Sequence, residues 1–192
     1  IYRPSTRTWF ILNSSDNFFT AINFGLPEDK LTPADFDGDG SADIAVFRPS
    51  TGFWYILQSL NEQVRIQQFG IAEDLPVQED YDGDGKNDLA VYRPSSGVWY
   101  VSRSSDAGFF ASQFGLSGDK PVAGDYDGDG KADLVVFRPS DKIWYQQKST
   151  EGFSAVQFGL SEDKPLQADF DGDGKRDVAL FRPSNGVWYY LK

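Results

Sequence analysis

One pattern recurs along the whole 192-residue chain at a period of 45. The string Arg-Pro-Ser begins at Arg3, Arg48, Arg93, Arg138 and Arg182, and Trp9, Trp54, Trp99, Trp144 and Trp188 follow in phase. Both series step by 45, 45, 45 and 44. A Phe-Gly pair recurs at Phe24, Phe69, Phe114 and Phe158, and an acidic string, Asp-aromatic-Asp-Gly-Asp-Gly, starts at Asp35, Asp80, Asp125 and Asp169. The gap from Trp to Phe-Gly is 15, 15, 15 and 14, whereas the gap from Phe-Gly to the acidic string is always 11. The single deletion therefore falls between Trp144 and Phe158, which predicts a loop there. Self-similarity at such a period means that each unit is one supersecondary element whose apolar faces are buried by its neighbours.

Each unit reads as four short strands. In the third acidic unit these are Pro121 to Tyr126, Ala132 to Arg138, Ile143 to Gln147 and Ser154 to Phe158. Ser96-Gly97 and Asn185-Gly186 supply tight turns between the second and third strands of their units. Pro49, Pro94, Pro139 and Pro183 stand at strand ends, where a missing amide is tolerated. No helical period of ten residues runs uninterrupted. Four strands per roughly 45 residues is the size of a β-propeller blade. The expected fold class is all-β, a propeller-like array of about five units. An open or linear β-repeat array is the alternative. A single repeat domain, 1–192, then divides near 1–30, 31–75, 76–120, 121–164 and 165–192, the first and last units being incomplete. The first holds only the last three strand types and the last only the first three, giving 18 strands.

Composition removes most chemistry. Cys, Met and His are absent, so there is no disulfide framework, thiol nucleophile, Cys/His zinc site or histidine base. The missing Met reads as a processed chain or an excerpt. The net charge of −11 repels phosphate backbones and argues against a nucleic-acid partner. Aromatic residues make up 16 %, too many for a disordered acidic chain. The apolar runs, such as Leu134 to Phe137, are too short for a membrane helix.

The acidic strings carry the clearest chemistry. Asp125, Asp127, Asp129 and Asp133 fall at loop positions 1, 3, 5 and 9, with Gly130 at position 6 for the sharp turn and the Lys131 backbone carbonyl available at position 7. The same set recurs as Asp35, Asp37, Asp39, Ser41 and Asp43, as Asp80, Asp82, Asp84, Lys86 and Asp88, and as Asp169, Asp171, Asp173, Lys175 and Asp177. These match the first nine positions of a helix–loop–helix calcium loop. Oxygen donors with no nitrogen or sulfur favour Ca²⁺ over a transition metal. Position 12, usually a bidentate Glu, is here Val136, and an apolar run replaces the exit helix. The expectation is about four structural Ca²⁺ ions. The competing possibility is that the Asp and Gly residues only make solvated turns.

Phe-Gly followed by Gly-Asp-Tyr-Asp-Gly-Asp-Gly-Lys-Ala-Asp-Leu-Val-Val resembles the FG-GAP/VCBS repeat of integrin α-subunit propellers and of many secreted bacterial proteins. The Phe-Arg-Pro-Ser…Trp-Tyr signature is similar to a bacterial subtype. The resemblance implies ions held by the Asp residues above, in the loop between the first two strands of a blade. It also implies an extracellular or cell-surface setting and a part in adhesion or recognition.

The in-phase Arg and Trp residues suit packing between repeats better than ligand binding, with Arg paired to a loop Asp or laid over a ring. Positions that vary between repeats, such as Arg7, Leu60 to Arg65, Arg103 and Lys142, are better candidates for contacts with a ligand. Acids outside the loops, Glu62, Glu79 and Glu151, show no pairing that suggests catalysis. The resulting expectation is a non-catalytic, calcium-stabilised extracellular module for adhesion or scaffolding. Its partner is a protein or glycan at a cell surface, with no membrane insertion, and its incomplete terminal blades offer a route to self-association. A lectin-like propeller and a subunit of a surface filament are the rivals.

Overall fold

The computed structural model describes residues 1–191. Among them are 18 strands and no helix. They form five small antiparallel sheets of three, four, four, four and three strands. The first contains β1 (Tyr2–Arg3), β2 (Thr8–Leu12) and β3 (Phe19–Asn23); the second β4 (Lys30–Leu31), β5 (Ile44–Arg48), β6 (Phe53–Leu57) and β7 (Val64–Gln68). The third has β8 (Leu75–Pro76), β9 (Leu89–Arg93), β10 (Val98–Ser102) and β11 (Phe109–Gln113). In the fourth are β12 (Lys120–Pro121), β13 (Leu134–Arg138), β14 (Ile143–Lys148) and β15 (Gly152–Gln157), and in the fifth β16 (Lys164–Ala168), β17 (Asp177–Arg182) and β18 (Val187–Leu191). Strands pair in chain order within every sheet. The fold class is all-β, a propeller-like array of four-stranded repeats with incomplete terminal sheets. The chain groups into two compact units, Ile1–Ala72 and the stretch from Glu73 onward.

The first strand of each complete sheet is shorter than its sequence suggests. Only Lys120 and Pro121 join the ladder in the fourth sheet, and a separate bridge, Gly124 to Asp133, holds the same register beyond them. The chain is turning into the acidic loop there, and the Val122 N–H to Val135 carbonyl bond spans the gap. The deletion shortens the connection between β14 and β15 to three residues, where the equivalent connections have six.

Burial follows from the strand patterns. The second strand of each complete sheet is buried on both faces, as in Leu134 to Phe137, while the third alternates, so that Trp144 and Gln146 point in. Within each unit the cores lie between successive sheets. Trp9 packs with Ile44 and Val46 in the first unit. In the second, Trp99, Tyr92 and Val101 meet Leu134 and Val136, and Trp144 and Phe137 meet Val178 and Leu180. Burying an aromatic side chain of this size removes 150–250 Å² from water, about 4–6 kcal/mol at 25 cal/mol per Å² before entropy is subtracted.

The in-phase Arg and Trp residues are structural. Each buried Trp donates its indole N–H to the carbonyl of the Phe in Phe-Gly: Trp9 to Phe24, Trp54 to Phe69, Trp99 to Phe114 and Trp144 to Phe158. The Arg of Arg-Pro-Ser forms a two-point ion pair with a buried Asp 19 residues earlier. The pairs are Arg48–Asp29, Arg93–Asp74, Arg138–Asp119 and Arg182–Asp163. Each guanidinium also lies over the ring that follows the Trp, at 4.3–4.5 Å for Tyr55, Tyr100, Tyr145 and Tyr189. The acid partner is thus not an Asp of the acidic loop but the one closing the turn five residues after Phe. Arg3 lies over Phe10 at 4.7 Å and has no acidic partner among the described residues.

Candidate metal centres

The four acidic loops share one internal wiring. In the third, the two oxygens of Asp125 accept the Gly128 and Gly130 N–H groups at 2.6 and 2.9 Å, curling the backbone around that carboxylate. Gly128 and Gly130 have φ of 80° and 84°, a left-handed conformation that a side chain resists. Asp35, Asp80 and Asp169 accept the equivalent pairs.

At position 9, Asp133 is buried. Its oxygens accept N–H groups from Tyr126 and from Ser149, a residue at the tip of the β14–β15 hairpin. Asp43 and Asp88 do the same with Phe36 and Ser59, and with Tyr81 and Ser104. The Ser hydroxyl meanwhile donates to position 5: Ser59 to Asp39, Ser104 to Asp84 and Ser149 to Asp129. These serines, five residues after each Trp, are functional neighbours that the sequence analysis missed, although the spacing displays them. The loop at Asp169 has no such Ser among the described residues; Asp177 keeps the Phe170 N–H bond.

One oxygen from each of three carboxylates converges in every loop, all within 4.8 Å of one another. The sets are Asp35, Asp37 and Asp39; Asp80, Asp82 and Asp88; Asp125, Asp127 and Asp133; and Asp169, Asp171 and Asp177. Positions 1, 3 and 9 thus meet in three loops and positions 1, 3 and 5 in the first. Asp43, Asp84, Asp129 and Asp173 stand outside these sets. At position 7, the N–H groups of Ser41, Lys86, Lys131 and Lys175 donate to position 5.

The bare cluster is electrostatically uncomfortable. Burial pushes Asp88 and Asp133 up to about 6, with the like charges of Asp82 and Asp127 adding to it. The Asp127 Oδ1 atom is buried and has no hydrogen-bond partner. An orphaned carboxylate oxygen beside two other carboxylates fits a hard divalent cation, and the all-oxygen donor set fits Ca²⁺ or Mg²⁺ rather than a softer metal. Neighbouring loops of the second unit are also linked: Ala132 N–H donates to the Asp80 carbonyl and Arg176 N–H to the Asp125 carbonyl, both at 2.7 Å.

Glu79, the residue before the second loop, varies between repeats. Burial lifts it to about 7, and it accepts a bond from the Gln167 side chain at 3.0 Å. Glu151 pairs with Lys148. Arg7 and Lys142, expected as candidates for ligand contact, take the left-handed turn position that Gly52, Gly97 and Gly186 hold in other repeats.

Five repeats of one strand order, four of them carrying an Asp-rich loop, define a class of repeat module. Residues 80–136 match the model of the FG-GAP-like repeat and residues 117–156 that of the FG-GAP repeat. Residues 80–156 thus carry FG-GAP-type repeats. No curated protein matches it. Among solved structures it is similar to BBS1N in complex with ARL6DN, soaked with mercury, at a TM-score of 0.57 and 12 % identity over 91 % of this chain and 54 % of that one. It is also similar to selenomethionine-substituted virginiamycin B lyase from Staphylococcus aureus, at 0.57 and 9 % over 99 % and 64 %. A catalytically inactive His-to-Ala form of that lyase with quinupristin gives 0.56 and 7 % over 98 % and 64 %. The chain spans 54–64 % of the length of these structures, and at such identities the likeness is one of fold.

Proposed function

We propose that this protein is a non-catalytic, calcium-stabilised repeat module working outside the cell, in adhesion or scaffolding. The observation that carries the reading is the fourfold convergence of carboxylates, with Asp127 holding a buried oxygen that nothing in the protein satisfies. Ca²⁺ suits extracellular concentrations, where loops of this kind bind with micromolar to millimolar affinity. Four bound ions would reduce the formal charge from −11 to −3. The ion's role is structural, because an apolar buried strand leaves each loop and offers no helix to reorient. Against an enzyme stands the lack of histidine, whose replacement inactivates the lyase of similar fold. No helix is long and apolar enough to cross a membrane.

Calorimetry on chelated protein tests the reading: about four Ca²⁺ sites are expected, with Mg²⁺ far weaker. Asp127→Ala should remove or weaken one site and leave the others. Absence of binding at millimolar Ca²⁺ refutes the ion assignment, and glycan-array signal lost on changing rim residues would replace the scaffolding reading with the lectin.

A further inference from the structure

We infer that the short hairpin tip Ser149–Glu151 is a positioning element for the third acidic loop, and that it makes this loop a tighter Ca²⁺ site than the first and second. The inference rests on the calcium reading above. Three residues join β14 to β15 where the equivalent connections have six. They grip the loop with five bonds. Ser149 donates its N–H to Asp133 at 2.8 Å and its hydroxyl to Asp129 at 2.7 Å. Thr150 donates its hydroxyl to Asp129 and its N–H to Asp127 at 3.0 Å, and the Glu151 N–H also meets Asp127 at 3.0 Å. Both N–H groups on Asp127 go to Oδ2, which fixes the carboxylate and leaves the buried Oδ1 as its one oxygen without a partner.

The longer tips hold position 3 by a single bond. Asp82 accepts the Ser105 hydroxyl at 2.6 Å, and Asp37 accepts the Leu60 N–H at 3.2 Å. Their turns spend N–H groups on themselves: Glu62 donates to the Gln58 carbonyl, Gln63 to the Asn61 side chain and Gly108 to the Asp106 side chain. The second loop is the matched comparison, because it has the same four Asp, Tyr81 where the third has Tyr126, and Lys86 where the third has Lys131. Affinity in loops of this kind is set by ligand charge and by rigidity. Ligand charge is equal here, so rigidity decides. Successive turn N–H groups aimed at one carboxylate form an anion-holding concavity. They keep Asp127 beside Asp125 and Asp133 before an ion arrives, so binding costs less in ordering. One additional hydrogen bond, at its usual net worth, corresponds to roughly a fivefold difference in affinity.

Nuclear magnetic resonance on the whole chain, labelled with ¹⁵N-glycine and titrated with Ca²⁺ after chelation, reads each loop separately. Gly83 and Gly85 report the second loop, and Gly128 and Gly130 the third. The third pair should reach its midpoint at roughly fivefold lower Ca²⁺ than the second. Replacing Ser149–Glu151 by the Ser-Ser-Asp-Ala of residues 104–107 lengthens the tip by one residue. It should raise the third midpoint to that of the second, with a melting curve to show that the protein folds. The conservative variant, Thr150→Ser with Glu151→Ala, keeps every donor at the original length and should restore the low midpoint. Equal midpoints in the parent protein overturn the inference, whether or not the graft folds. So does a folded graft that leaves the third midpoint in place, or a conservative variant that raises it as the graft does. Each of these leaves the calcium reading standing. Glycine signals that stay unmoved in every loop at millimolar Ca²⁺ overturn both.

Discussion

Replacing Arg138 by Ala removes one half of a nearly dry ion pair. Its Nε and Nη2 atoms each meet an oxygen of Asp119 at 2.8 Å, its guanidinium lies 4.3 Å above the Tyr145 ring, and the Asp119 side chain is 1 % exposed. Removing one partner of a buried pair costs about 3–5 kcal/mol, because the other charge stays behind without compensation. Two features place this pair at the lower end: the Arg138 side chain is 20 % exposed, and Asp119 still accepts the Leu116 N–H. A loss of about 3 kcal/mol corresponds to a Tm fall of roughly 6–12 °C in a chain of this size. Arg3→Ala is the internal control. That exposed residue has the Phe10 ring beneath it but no acid, so its loss should cost about 0.5–1 kcal/mol. Arg138→Lys should fall between the two, since it keeps the charge but loses the planar fork and the stack. Scanning calorimetry in saturating Ca²⁺ reads all three. Equal Tm shifts for Arg138→Ala and Arg3→Ala would refute the claim that the buried Asp, rather than the ring, makes this Arg necessary.

Lys142 holds a φ of 63° where most repeats have Gly, and a left-handed L-residue is strained by about 1–2 kcal/mol. Lys142→Gly should therefore raise Tm, the gain being reduced by about 0.4–1 kcal/mol of unfolded-state entropy; a lower Tm would contradict it. The Arg182 fork holds the Asp163 carboxyl below its ordinary value. The unfolded state thus takes up the proton first, so the pair's contribution is complete above about pH 4 and is lost as pH falls through the lower folded value. Arg182→Ala should flatten the acid limb of the stability curve, and an unchanged slope below about pH 4 would exclude the pair as its source. EDTA should lower Tm, because ligand at about 100 times its Kd contributes about 2.7 kcal/mol per independent site. An unchanged melting curve would reduce the loops to turns.

Much of this architecture is legible in the sequence because the constraint repeats. A turn Gly, a strand-end Pro or an inward Trp must return every time the same strand returns, so the 18 strands and their three-four-four-four-three grouping follow from phase alone. The acidic loops are legible for the same reason: four carboxylates spaced two, two and four apart curl around one point. The ion pairs were harder to see. Asp29, Asp74, Asp119 and Asp163 keep the period as faithfully as the arginines do, but their partners stand 19 residues on, across a loop and a strand, where spacing gives no distance. The serines at 59, 104 and 149 were hidden in the same way, as ordinary residues of hairpin tips until the hairpin folds over the acidic loop.

A crystal structure grown with Ca²⁺, with anomalous scattering collected to locate the ions, tests the central claim most directly. The account predicts four peaks, one in each acidic loop. The third should lie against Asp125, Asp127 and Asp133, with the Asp127 Oδ1 atom as a direct ligand. Loops that keep their present hydrogen bonds with no peak among the carboxylates, or ions found only elsewhere on the surface, would contradict it.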